Sequence, residues 1–206
     1  MDHTERPVNF TCHWVAIGNG RLTLWHRPGA RAVAAMKLFG CDCVLTLQAA
    51  REHADLIGQW VAEAGIEWLW LPLENGKPPQ AEAAASILAA LPKLSQMLDD
   101  GRSILIHCAA GIHRTGMVAY ALLRWRGFDE PAALALITQM RTHTGVGVQR
   151  KQIDWGNRAI RHFCPEGLSR GAPLRSPTES MLDPKNPTYL AYSLYAHPNA
   201  RLLPGA

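Results

Sequence analysis

The stretch from Ser103 to Gly127 constrains this chain more than any other. SILIH (103–107) is a short apolar run of the kind expected for a strand buried on both faces. A tight loop follows at once. TGMVAYALLRWR (115–126) then reads as a helix, stopped by Gly127. A loop caught between a buried strand and an apolar helix belongs to α/β architecture.

The rest of the chain agrees. Residues 10–24 read as two short strands around a Gly18–Asn19–Gly20 turn, and Pro28–Gly29 breaks the chain. A helix is predicted over 30–39, where Val33, Met36 and Phe39 share a face, with Gly40 as its cap. CVLTL (43–47) is a buried strand, 50–64 a helix stopped by Gly65, and IEWLWLPL (66–73) a strand. ENGKPPQ (74–80) is a loop. Residues 81–98 are helical, with a kink or division expected at Pro92. Asp129 is placed to cap a helix that runs to about Arg141, with Pro131 in its first turn. A last amphipathic helix covers 148–163. The reading is a central, mainly parallel sheet of four or five strands flanked by helices. It divides the chain into an extension (1–9), one domain (10–163) and a proline-rich tail (164–206).

Of the 206 residues, 48% are apolar and 18% charged, enough for a core and too few charges for a disordered chain. A formal net charge of +4 suits anionic substrates but does not mark a nucleic-acid binder. MDHTERPVNF lacks the layout of a signal peptide, and no apolar run approaches the ~20 residues that cross a bilayer. The expectation is a cytoplasmic protein with reduced thiols and no membrane partner. Cys41–Asp42–Cys43 looks like half a metal site without a second pair. On a strand the two cysteines would share one face as core thiols, so no metal is expected there.

The chemistry concentrates in the loop His107–Cys108–Ala109–Ala110–Gly111–Ile112–His113–Arg114–Thr115–Gly116. Between a strand and a helix start, successive backbone N–H groups converge and the helix terminus adds positive potential, which suits a phosphoryl dianion. The same field favours a thiolate over a thiol, making Cys108 a candidate nucleophile. Arg114 offers a planar fork of donors to two phosphoryl oxygens. Gly111 permits a bend that a side chain would hinder. The Thr115 hydroxyl can donate to a departing sulfur, and the His107 ring can orient the loop. Cys164–Pro–Glu–Gly–Leu–Ser–Arg170 repeats the CxxGxxR spacing, but without strand or helix around it. Pro165 removes a donor there and Glu166 would repel phosphate.

The loop resembles the HCxxGxxRTG signature of the protein tyrosine and dual-specificity phosphatase superfamily, matching every fixed position. Arg27–Pro28–Gly29 in its turn–helix–strand setting is also similar to small dual-specificity phosphatases. The resemblance covers roughly residues 10–163. It implies hydrolysis of a phosphate monoester, on protein phosphotyrosine or phosphoserine/threonine, through a phosphocysteine intermediate and with no metal or cofactor. It also implies phosphate binding by the backbone of residues 109–114.

One part of the pattern is missing. Small dual-specificity phosphatases often read PIxDGxxP where this chain has Pro72–Leu–Glu–Asn–Gly–Lys–Pro–Pro79, and Asn75 falls at the aspartate that serves as general acid. Glu74 is the only acid in that loop and the provisional donor; its plain reading is a solvated charge. Glu82 is a poorer candidate, and Asp99 and Asp100 approach the strand from its other end. An alternative is a nucleotide or RNA 5′-polyphosphatase of the same fold, because a departing diphosphate needs little acid help. Another is a phosphate-binding module without turnover. In tyrosine phosphatases a glutamine from a comparable region positions the hydrolytic water; Gln149 and Gln152 match by location. His113 sits at the loop's rim. Ala109, Ala110 and Ile112 occupy places where phosphoinositide phosphatases often carry lysine, which speaks against polyphosphoinositides.

Overall fold

The computed structural model describes residues 11–74, 77–79 and 81–163. Five strands form one sheet in the order β1-β2-β5-β3-β4. They are β1 (Val15–Ile17), β2 (Gly20–Trp25), β3 (Cys43–Gln48), β4 (Glu67–Leu73) and β5 (Ser103–His107). Only the β1–β2 hairpin is antiparallel; β2, β5, β3 and β4 run parallel. The mainly parallel sheet of four or five strands expected from the sequence is therefore present, with five strands and β5 at its centre.

Side chains alternate across the sheet. Cys43, Leu45, Ile104 and Ile106 join a large core with α3 (Ala81–Asp99), α4 (His113–Trp125), α5 (Glu130–Met140) and α7 (Arg150–Phe163). Val44 and Leu105 face the other way, into a smaller core with α1 (Ala30–Leu38) and α2 (Ala54–Glu63). Covered on both faces, β3 and β5 are buried at every position. Cys41 and Cys43 do not share a face: Cys41 belongs to the smaller core and Cys43 to the larger. The strand starts only at Cys43, so the two-residue period does not extend back to Cys41, whose thiol donates to the Cys43 carbonyl at 3.3 Å. Among the described residues no cluster of three or more His, Cys, Asp or Glu is arranged to hold a metal.

Four further details differ from the sequence reading. α3 runs undivided through Pro92; Leu88, Leu91 and Leu94, buried in the large core on both sides of the proline, offset the lost donor and the crowding of its ring. The helix expected over 50–64 is a 3-10 turn (Ala50–Glu52) and then α2, separated by His53 at φ 56°. α4 begins at His113, so His113 and Arg114 lie in its first turn. A short α6 (Thr142–Gly147) precedes α7. Asp129 caps α5 as expected, accepting from the Ala132 amide at 2.9 Å. No helix among the described residues is long and apolar enough to cross a membrane.

β2 meets the α3–β5 corner without room for a side chain. A Cβ on Gly20 would lie 2.4 Å from the Arg102 carbonyl oxygen and 2.8 Å from that of Leu98. Gly20→Ala is expected to cost about 2 kcal/mol through forced backbone movement, read as a lower urea midpoint. An unchanged midpoint would contradict this packing.

Candidate active site

The loop that follows β5 lies at the carboxyl ends of the parallel strands, where open α/β sheets form their ligand crevice. Three carbonyls of the loop turn outward. Ala109 O accepts from the Arg27 amide at 3.0 Å. Ala110 O and Gly111 O accept from Arg141 Nη1 at 3.0 and 2.6 Å, and the Thr144 hydroxyl also donates to Gly111 O at 2.6 Å. In a trans peptide the N–H points opposite to the C=O. The amides of Ala110, Gly111 and Ile112 are thereby aimed at the other side of the loop, where the Cys108 sulfur sits. Gly111 N donates to Cys108 Sγ at 3.2 Å.

Gly111 is required by two independent facts: its φ is +68°, and a Cβ there would fall 2.1 Å from the Trp25 carbonyl oxygen. No side chain caps α4, which leaves its first-turn amides to the cup. Cys108 retains 3% exposure at the bottom of the cup, while Ala109 and Ala110 at the mouth are exposed.

Arg114 is buried beside the sulfur. Glu52 receives its Nη1 at 2.5 Å and its Nη2 at 2.8 Å, and Nη1 also reaches Leu73 O at 2.9 Å and Leu47 O at 3.3 Å. A guanidinium has five N–H donors. These partners occupy both Nη1 hydrogens and one on Nη2, and they leave Nε–H and one Nη2–H. That remaining pair has the parallel geometry of a bidentate oxyanion clamp. Hydrogen bonding from Arg114 holds the Glu52 carboxyl below its usual range. Glu52 is the residue that sequence reasoning missed. Its signal was the need of a buried arginine for a carboxylate, set against the few acids at the carboxyl ends of the strands.

His107 is fully buried. Its Nδ1 lies 3.5 Å from the Cys108 carbonyl, which can only accept, so Nδ1 carries the proton. Nε2 then accepts from the Thr46 hydroxyl at 2.8 Å, and Thr46 accepts from Trp68 Nε1 at 2.9 Å. This chain orients the ring toward the loop.

The remaining candidates are placed as follows. Thr115 is buried and its hydroxyl has no hydrogen-bond partner among the described residues. Glu74 is exposed and ion-paired with Arg51, and it directly follows Leu73, whose carbonyl holds Arg114. Asn75 and the segment 164–170 lie outside the described residues. Glu82 is exposed at the start of α3, and Asp99 pairs with Arg126 at 2.7 Å. Gln149 is exposed and its amide nitrogen lies 3.4 Å from His113 Nε2. Gln152 is buried, and its side-chain carbonyl accepts from the Gln149 amide at 2.8 Å, securing the start of α7. Arg150 is engaged by Glu130 and Asp154.

Burial holds the His107 imidazole neutral, with its pKa pulled down to about 3. An unfolded chain takes up that proton near ~6.5. Between these values the unfolded state binds a proton that the folded state refuses, so stability falls as pH drops through this window. His107→Asn is expected to flatten the dependence of Tm on pH there, measured by thermal unfolding at stepped pH. Equal slopes for both proteins would contradict a neutral buried ring.

Comparison with known proteins agrees with this geometry. None of the curated proteins compared with the chain matches it. Solved structures do. Kinase-associated phosphatase (KAP), with its catalytic cysteine replaced by serine, superposes with TM-score 0.64 at 19% identity, covering 76% of this chain and 97% of that one. Tk-PTP in its active form gives 0.58 at 22% identity, covering 72% and 95%. PTPMT1 in complex with PI(5)P gives 0.57 at 17% identity, covering 73% and 98%. At these identities the likeness establishes the fold. The family model described as PTP-SAK, the DSP-PTPase phosphatase domain of Swiss Army Knife proteins, matches residues 10–161, and the chain belongs to that phosphatase family.

Proposed function

We propose that this protein hydrolyses phosphate monoesters through a phosphocysteine on Cys108, acting on protein phosphotyrosine or phosphoserine/threonine. The observation that carries the reading is the convergence on one sulfur of the Gly111 amide and the Arg114 guanidinium, with the loop carbonyls tied away from it. The Cys108 sulfur attacks phosphorus in line, and the bond from phosphorus to the ester oxygen breaks. Two donors of Arg114 and the loop amides hold the equatorial oxygens as their charge develops. Glu74, released from Arg51 and protonated from solvent, gives that proton to the departing oxygen. Water, positioned by Gln149, then attacks the phosphocysteine and gives its proton to the Glu74 carboxylate, which restores the acid. The sulfur departs with its electron pair, aided by the unpartnered Thr115 hydroxyl, and inorganic phosphate is released.

One observation favours a second reading, a nucleotide or RNA 5′-polyphosphatase. Glu52 is bound to Arg114 and Glu74 to Arg51, so the carboxylate on the clamp and the candidate acid both have cationic partners. A diphosphate leaving group needs neither as a proton donor.

Turnover of a phosphotyrosine peptide and of triphosphate-ended RNA separates the two. Cys108→Ser is expected to abolish phosphate release from the peptide while retaining binding. Glu74→Ala is expected to lower kcat/KM on the peptide by about a hundredfold, the range of a lost general acid. Full activity of Glu74→Ala on the peptide would remove Glu74 from the mechanism. RNA turned over faster than peptide, with no dependence on Glu74, would establish the second reading in place of the first.

A further inference from the structure

The last helix leaves the rim of the cup and runs down the flank of the molecule. Gln149, just ahead of α7, has its side-chain nitrogen 3.4 Å from His113 Nε2 at the start of α4. Two turns further along both helices, the Tyr120 hydroxyl donates to Asn157 Oδ1 at 2.8 Å. The two helices therefore travel side by side from the cup. Ile153, Trp155, Gly156 and Ile160 are buried, and a Cβ on Gly156 would lie 2.8 Å from the Tyr120 ring. The outer face of α7 carries Arg150, Lys151, Asp154, Arg158 and Arg161.

The charges on this face are unbalanced. Its one carboxylate, Asp154, and the neighbouring Glu130 on α5 are both engaged by Arg150, at 2.8 and 2.6 Å. Lys151, Arg158 and Arg161 are exposed and form no ion pair with any described residue. Arg161 Nε donates to the Asn157 carbonyl at 3.1 Å, within its own helix. Helical geometry points Lys151 and Arg158 within about 20° of one another, and sets Arg161 about 60° from Arg158. Arg158 and Arg161, three residues apart, repel one another across the helix surface. A like-charged run of this kind is complemented by an anionic partner. Nucleic-acid tracks combine cations with rings that stack on bases. This face has no aromatic ring among its described side chains, Trp155 being turned into the core. Its spacing suits a peptide instead. Lys151 and Arg158 are ~10 Å apart along the helix, the length of three residues of extended chain at ~3.3 Å each.

We propose that the outer face of α7 docks an acidic segment of a phosphoprotein substrate. Two carboxylates three residues apart in an extended chain meet Lys151 and Arg158, and a third meets Arg161. The inference rests on the protein phosphatase reading and adds a substrate class to it: a phosphorylated residue that has an acidic segment beside it in sequence. The face begins at the rim of the cup, so one chain can occupy both. Because the contact lies away from the bond that breaks, it acts on KM and leaves kcat alone.

The test compares kcat/KM of the full chain on two phosphotyrosine peptides. One has aspartate at every third position on both sides of the phosphotyrosine, and the other has asparagine in those places. The acidic peptide is expected to be preferred about tenfold at low salt, through KM, as three exposed ion pairs would give. The preference is expected to fade toward 1 M salt, where the screening length is ~3 Å. Lys151→Ser combined with Arg158→Ser and Arg161→Ser is expected to abolish the preference and leave turnover of the asparagine peptide unchanged. Arg158→Glu combined with Arg161→Glu is expected to reverse it, in favour of a peptide with lysine in those places. Equal kcat/KM on the two peptides in the wild type, or a preference that survives the triple substitution, overturns the proposal. If neither peptide is turned over, the protein phosphatase reading fails by itself. The same ratio is then read from the Kd of the two phosphopeptides by fluorescence anisotropy. A tenfold ratio lost in the triple variant sustains the docking face; equal Kd values, or no binding, overturn it. Single-stranded RNA bound more tightly than the acidic peptide through the same three residues also overturns it, in favour of a nucleic-acid partner.

Discussion

The pairing of Arg114 with Glu52 is the interaction on which the site depends. A guanidinium buried at 4% side-chain exposure requires a counter-charge, and Glu52, still 24% exposed, supplies it with both oxygens. The same guanidinium is held by the carbonyls of Leu47 at the end of β3 and Leu73 at the end of β4. One side chain on α4 thus fixes the carboxyl ends of two neighbouring strands against the loop that follows a third. The 3-10 turn that carries Glu52 is itself closed by that carboxylate, which accepts from the Ala49 amide at 2.9 Å. What remains of Arg114 after these contacts is a two-donor fork. The scaffold thereby selects which of its hydrogens remain on the side of the Cys108 sulfur.

The loop backbone is governed by the complementary device. Arg27, Arg141 and Thr144 take the carbonyls, and the planarity of the peptide turns the amides inward. His107, neutral and hydrogen-bonded through Thr46 to Trp68, fixes the first residue of the loop from below. The cup is therefore built from tied-back acceptors and freed donors.

Much of this was legible in the sequence because the loop is contiguous. A buried strand, a glycine at a bend, an arginine just ahead of an apolar helix and a cysteine between strand and glycine declare their geometry within ten residues. Glu52 was not legible, since its partner lies 62 residues away and only the sheet order brings them together. Arg141 and Thr144 were hidden for the same reason, and α6, THTGVG, has little helical propensity of its own. The break at His53 was missed because the helical periodicity continues across it, while tertiary pairing of Glu52 sets the backbone. The face of Cys41 was misread because strand periodicity was carried back past the point where the strand begins.

The most direct measurement mixes the protein rapidly with a phosphotyrosine peptide, quenches it in acid, and maps the phosphoryl group by mass spectrometry. The account predicts a transient phosphoryl adduct on the peptide that carries Cys108, rising before free phosphate accumulates. Phosphate released at full rate with no adduct on Cys108, or an adduct on another residue, would contradict it.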